Sequence, residues 1–221
     1  MRTSFARRVV LASAVVAGLA IAGCATSPAT RFYVLTDVAP DDAAPSAASV
    51  GVTIGVRSVT LPDELDRPQI VTRTGPNTVQ IAEFDRWSGS LRDSVMQAIA
   101  TNLATLLPGD QIAVYPWRLD TPVDREAIVD ITRFDCEMAG QCALQARWRI
   151  LGRRGTPSTV YGESTLSVAA GRDYPTLVAT QSRLVGALSA EIARAIRGTT
   201  NGEATASRPP ETVTNDAPTD R

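Results

Sequence analysis

The sequence has no histidine and no lysine; all 22 of its basic residues are arginine. The missing histidine removes Ser-His-Asp and Cys-His nucleophiles, HExxH zinc sites and imidazole acid–base chemistry together. Aromatic residues make up 5% of the chain, with four Phe and three Trp, a thin supply for lining an apolar lipid cavity. Cysteine occurs three times, never as CxxC, so neither the redox motif nor a zinc pattern is present. There is no basic block and the formal net charge is −1, which speaks against nucleic acid as a partner. No cradle of glycines for phosphate and no nucleophile elbow occurs either.

What remains is ordinary globular composition behind a distinctive start. The chain has 221 residues, 44% hydrophobic and 20% charged, enough for one or two domains. Arg2, Arg7 and Arg8 precede an uncharged run over residues 9–22. That run fits a signal-peptide core and is short for a membrane span of about 20 residues. It ends Ile21-Ala22-Gly23-Cys24, which resembles the bacterial lipobox; the bland alternative is a plain signal peptide or anchor with a chance cysteine. The lipobox implies a diacylglyceryl group on the Cys24 thiol, with cleavage just before it. Losing residues 1–23 removes three Arg and no acid, moving the formal charge from −1 to −4. Two or more acyl chains hold firmly where one does not, so the expectation is a periplasmic domain tethered to a membrane. Ala25 rather than Asp after the cysteine favours the outer membrane over the inner one.

Periodicity divides the rest. Residues 1–23 read as signal peptide, 24–49 as lipidated leash with a short strand at 32–35, 50–197 as one domain and 198–221 as a disordered tail poor in apolar residues. Val50, Val52, Ile54 and Val56 alternate as a half-buried strand. Residues 69–74 and 78–83 form a hairpin around Gly75-Pro76-Asn77. Leu91, Val95, Ala98, Ile99, Leu103 and Leu106 recur at helical spacing after Ser90 and Asp93, a capping pair, and Pro108-Gly109 stops the helix. Residues 111–117 read as a strand, and 127–137 with 141–151 as a longer hairpin. Another strand is expected over 158–168. A final helix over 175–197 buries Leu177, Leu184, Leu188, Ile192 and Ile196. Strands in consecutive runs joined by short turns, with two helices of clear apolar stripe, predict an α+β single domain. Its sheet is mostly antiparallel or mixed, with both helices on one face.

The string Leu61-Pro62-Asp63-Glu64-Leu65-Asp66-Arg67-Pro68-Gln69-Ile70-Val71 comes next in the reading, with Asn77, Glu83 and Arg86-Trp87 behind it. Asn102 through Pro108, then Tyr115-Pro116-Trp117, Arg133-Phe134 and Ala146-Arg147-Trp148 complete the pattern, which opens at Phe32-Tyr33-Val34-Leu35. Together these resemble the ABC-type transport auxiliary lipoprotein family, the PqiC-like group, from the lipobox to about residue 197. The resemblance implies a non-enzymatic role without cofactor or metal. The protein would be an auxiliary or docking component, as a homo-oligomer, for mammalian-cell-entry (MCE) domain transporters and their ABC and permease components. Such systems carry lipid between the two membranes and support envelope integrity. A periplasmic lipid-carrier module is the alternative.

Several residues bear two readings each. Leu61, Pro62, Leu65, Asp66, Arg67 and Pro68 form either a stiff docking loop, since each proline fixes φ and restrains the residue before it, or a shaped connection. Arg86 and Trp87 are either an interface anchor or a core tryptophan with its arginine at the rim. Cys136 and Cys142 flank the turn at Met138-Ala139-Gly140, and in an oxidising periplasm they are a structural disulfide, two free thiols or a reactive pair. Asp63, Glu64 and Asp66 read as a solvated loop rather than a glycosidase carboxylate pair.

Overall fold

A computed structural model of the chain describes residues 28–38, 51–118, 120–152 and 159–206. The signal-peptide run, Cys24, residues 39–50 and residues 207–221 lie outside the described residues. A compact unit spans Phe32–Arg221; the unit before it, Met1–Arg31, is described only over residues 28–31, all exposed. Phe32 and the described residues after it belong to that compact unit.

The elements run β1 (Arg31–Tyr33), β2 (Thr53–Thr60), a 3-10 turn (Asp63–Leu65), β3 (Gln69–Gly75), β4 (Thr78–Trp87), α1 (Leu91–Leu106), β5 (Gln111–Val114), β6 (Arg125–Cys136), β7 (Gln141–Gly152), β8 (Thr159–Ala169) and α2 (Tyr174–Ala206). Five strands form one sheet in the order β5-β2-β6-β7-β8, and three form a second in the order β1-β4-β3. In the larger sheet β2 runs parallel to both β5 and β6, while β6-β7-β8 is an antiparallel meander. Helix α1 packs on β2 and β5, α2 packs on β6, β7 and β8, and the helices pack on each other. This is the α+β arrangement expected, with the hairpin β3–β4 split off as its own sheet with β1. The split follows from β2 ending at Thr60, after which β3 runs beside the far half of β6 and bridges to it in parallel at Arg73 and Glu137.

The core lies between the helices and the larger sheet. Ile54, Val129, Ile131, Phe134, Leu144 and Ile150 supply the sheet side. Leu177, Leu184, Leu188, Ile192 and Ile196 on α2 are all at most 1% exposed; at ~2 kcal/mol per buried aliphatic side chain this stripe contributes about 10 kcal/mol. Helix α1 begins as its sequence requires: Asp93 N–H donates to Ser90 Oγ at 3.2 Å, satisfying one orphan amide of the first turn. Asp173 does the same for α2, accepting from Thr176 N at 2.9 Å.

Three expectations need correction. The half-buried strand expected from Val50 to Val56 begins at Thr53 among the described residues, and its opening is buried on both faces: Thr53, Ile54, Gly55 and Val56 are all buried. Gly55 faces away from the helices, but the loop after β5 crosses above it, and a Cβ there would sit 2.8 Å from the Trp117 ring. The strand expected over 111–117 stops at Val114, before Tyr115-Pro116, because proline has no N–H for the ladder. The last helix continues past 197 to Ala206, since extending a formed helix adds one bond per residue without a new nucleus.

Sequence periodicity gives α2 one buried stripe, yet Gln181, Ser182, Gly186 and Ser189 are buried as well. Two contacts explain this. On one side, Asn102 Nδ2 of α1 donates to Ser189 Oγ at 3.4 Å. On another, residues 34–38 lie across α2 as a strap. Thr36 N–H donates to Ser182 Oγ at 3.1 Å, and Val38 O lies so close to Gly186 that a Cβ there would sit 1.8 Å away. The strap is fixed at its other end by Tyr33, whose hydroxyl donates to Asp85 Oδ1 at 2.7 Å and whose carbonyl accepts from Ser88 N at 2.9 Å.

Candidate docking surface

The segment from Leu61 to Pro68 folds on itself. Pro62 O accepts from Leu65 N at 2.9 Å, Asp63 O from Asp66 N at 3.1 Å and Leu65 O from Arg67 N at 2.8 Å. Both prolines hold their φ without ordering cost, and the Leu65 side chain, 6% exposed, pins the underside to the core. Pro68 O then accepts from Trp87 N at 2.7 Å, joining the loop to the end of β4. The outcome is a cleft of about 360 Å3 lined by Asp66, Arg67, Pro68, Trp87, Ser88, Gly89, Ser90 and Leu91. Four of the residues singled out from sequence meet there.

Each candidate now has a place. Leu65 and Trp87 are core residues, Trp87 being 5% exposed, so neither stands out from the surface as a contact; Trp87 forms the floor of the cleft. The rim is Asp66, Arg67 and Pro68. Asp66 is held by Arg92 at 3.0 Å, an exposed pair worth about 0–1 kcal/mol. Arg67 and Arg86 are half-buried, and the Nε of each lacks a hydrogen-bond partner among the described residues. Leu61 and Pro62 are half-buried; Leu61 lines a neighbouring depression of about 420 Å3 with Arg57, Asp63, Arg92, Met96 and Tyr115. Asp63 and Glu64 are exposed. Cys136 and Cys142 are bonded to each other across the β6–β7 ladder, with Cα atoms 3.9 Å apart and no exposure.

Sequence reasoning passed over a charged cluster where the two sheets meet. Asp135 on β6 accepts from Arg133 Nε at 3.0 Å and Nη2 at 3.1 Å, and from Arg73 Nη2 of β3 at 2.9 Å. Burial pushes the Asp135 carboxyl up, but the hydrogen bonds and charges of Arg133 and Arg73 outweigh it and hold it below its ordinary value. The hydrogen bond to Asp135 and its charge raise Arg73 in turn. The Arg133–Asp135 alternation on one strand face was the available signal; the approach of Arg73 from another sheet was not. Elsewhere on the face away from the helices, Arg57 meets Glu126 at 2.6 Å, Arg147 meets Glu163 at 3.2 Å and Thr60 donates to Asp130. A shallow depression of about 520 Å3 there carries Asp130, Arg147, Arg149 and Tyr161. Among the described residues no cluster of metal-ligating side chains occurs and no helix is long and apolar enough to cross a membrane. The chemistry on offer is surface recognition by stiff loops and paired charges.

Comparison with known proteins gives the same direction. The profile of the ABC-type transport auxiliary lipoprotein component family matches residues 33–193. The intermembrane transport lipoprotein PqiC of Escherichia coli strain K12 is 26% identical over 140 residues, 63% of this chain and 73% of that protein. Its Shigella flexneri counterpart matches to the same extent, 26% over 140 residues. Among solved structures, an uncharacterised protein superposes with a TM-score of 0.63 at 21% identity, covering 76% of this chain and 99% of that one. A Xanthomonas campestris protein of a family of unknown function follows with a TM-score of 0.58 at 17% identity, covering 80% and 100%. Both share the fold.

Proposed function

Because the chain belongs to the family of ABC-type transport auxiliary lipoprotein components, we propose that it is a membrane-anchored periplasmic lipoprotein that docks a partner in intermembrane lipid transport. The family is one of transport components, not of enzymes. Cys24 carries the diacylglyceryl anchor, which a palmitate label would mark, and the protein sits on the periplasmic face of the outer membrane. Its partner is an MCE-domain protein acting with ABC and permease components, and it works as a homo-oligomer that supports envelope integrity. The observation that carries this reading is the family match across residues 33–193. The cleft at Asp66, Arg67 and Pro68 supports it, because a loop stiffened by two prolines and pinned by Leu65 gives up little conformational freedom on binding.

Crosslinked envelopes provide the test. Purification through this chain should bring down an MCE-domain protein, and Asp66→Arg with Arg67→Glu should lower that yield about tenfold while leaving the anchor in place, as expected for rim charges that set partner choice. Recovery of the anchored chain with no MCE-domain protein would overturn the proposal.

A further inference from the structure

The amino-terminal strap alternates in an unusual sense. Tyr33 and Leu35 pack against the core, so the intervening positions face outward. On a strand with one buried face the outward residues are normally polar. Here they are Phe32, 65% exposed, and Val34, 57% exposed. Two apolar side chains therefore stand about 6.6 Å apart on one surface. They are held in place, because Tyr33 is bonded to Asp85 and Ser88 and Thr36 is bonded to Ser182.

Chain length says what they face. Cys24 lies eight positions before Phe32, and eight residues reach at most about 26–29 Å when fully extended. A compact unit of this size has a radius of gyration of about 16 Å, so its width exceeds the tether. A lipid on Cys24 would keep the side bearing Phe32 next to the bilayer, whichever way the rest of the domain turns. We propose that Phe32 and Val34 are a membrane-apposed edge that enters the lipid headgroup and acyl boundary and fixes the orientation of the domain. The inference rests on the Cys24 anchor proposed above. Phenylalanine suits that boundary, where amphipathic elements bury their apolar faces. The docking cleft would then be presented at a set angle to the membrane instead of swinging on a leash.

Full-length lipidated protein in phosphatidylethanolamine–phosphatidylglycerol vesicles with dibrominated acyl chains tests this. Phe32→Trp places a fluorophore at the edge. Val79→Trp, at a position 47% exposed near the tip of the β3–β4 hairpin, serves as the comparison. Emission of the wild type, from Trp87, Trp117 and Trp148, is subtracted. The emission added by Phe32→Trp should fall about twofold in brominated relative to ordinary vesicles, given insertion ~5–10 Å into the interface, and the emission added by Val79→Trp should not. Protein that floats with vesicles while Phe32→Trp stays unquenched, or while both variants quench alike, overturns the inference and leaves the anchor standing. Protein that does not float removes the anchor and, with it, the inference.

Discussion

Arg73 on β3 and Asp135 on β6 share a 2.9 Å hydrogen bond that joins the two sheets of this protein, and Arg133 grips the same carboxylate. A carboxyl whose pKa is lowered by folding contributes stability that is fully present above its unfolded value and is lost as the pH falls through the folded one. Asp135→Asn should therefore cost about 1–3 kcal/mol at neutral pH, because it leaves two guanidinium groups facing a neutral amide. The gap from wild type should begin to narrow as the pH falls below about 4, the ordinary aspartate value, where the unfolded chain takes up the proton first, and should close as the pH falls further through the lowered value of the native carboxyl. Urea midpoints across that range measure it; a gap independent of pH would contradict the role assigned to Asp135.

At Gly186 two effects oppose each other. Alanine in a helix interior is worth about 1 kcal/mol over glycine, but its Cβ would lie 1.8 Å from the Val38 carbonyl oxygen. The steric term acts on the strap and the propensity term on α2. Gly186→Ala should thus leave the melting temperature within ~4 °C of wild type while the Thr36 amide, bonded to Ser182, loses its protection from hydrogen exchange. An unchanged Thr36 exchange rate would mean that the strap is not seated on α2.

At Gly162, inside β8, the steric term outweighs the smaller gain from replacing a glycine within a strand. A Cβ there would come 2.1 Å from the Trp148 ring, whose Nε1 donates to Ser164 Oγ at 2.9 Å. Gly162→Ala should destabilise by about 1–3 kcal/mol, the range for overpacking. Adding Trp148→Leu should recover part of that loss, a coupling that denaturant midpoints of the wild type, both single variants and the double variant report.

The Cys136–Cys142 bond closes a short loop with a sequence separation of 6, for which chain entropy gives about 2 kcal/mol. Replacing both with alanine should cost roughly that in chemical denaturation. Since both cysteines are fully buried, alkylation under reducing conditions should be slow in the folded protein and complete in denaturant. Two alkylated thiols in unreduced protein taken from cells would contradict the bond.

Both helices, the two hairpins and the α+β class were legible because each rests on a period set by the element's own buried face. Leu177 and Leu184 announce α2 without reference to anything else. The strap over Ser182 and Gly186, the cover over Gly55 and the reach of Arg73 to Asp135 were not legible, because each joins segments far apart in sequence and the period of one segment carries no record of the other. The docking loop falls between. Its prolines announced stiffness, but Leu65 in the core and Trp87 in the cleft floor could be told from exposed contacts only once β4 was seen beside the loop.

The strap has a practical consequence for anyone who trims this protein. A recombinant fragment cut to the periodic region alone, from residue 50 onward, would strip a neighbour from β4 and uncover Ser182 and Gly186, trading a hydrogen-bonded seam for wet backbone and a bare notch on the longest helix. The shortest piece that keeps its native surface has to start ahead of Phe32, so that the edge strand beside β4 and the cover of the longest helix are inherited as one part.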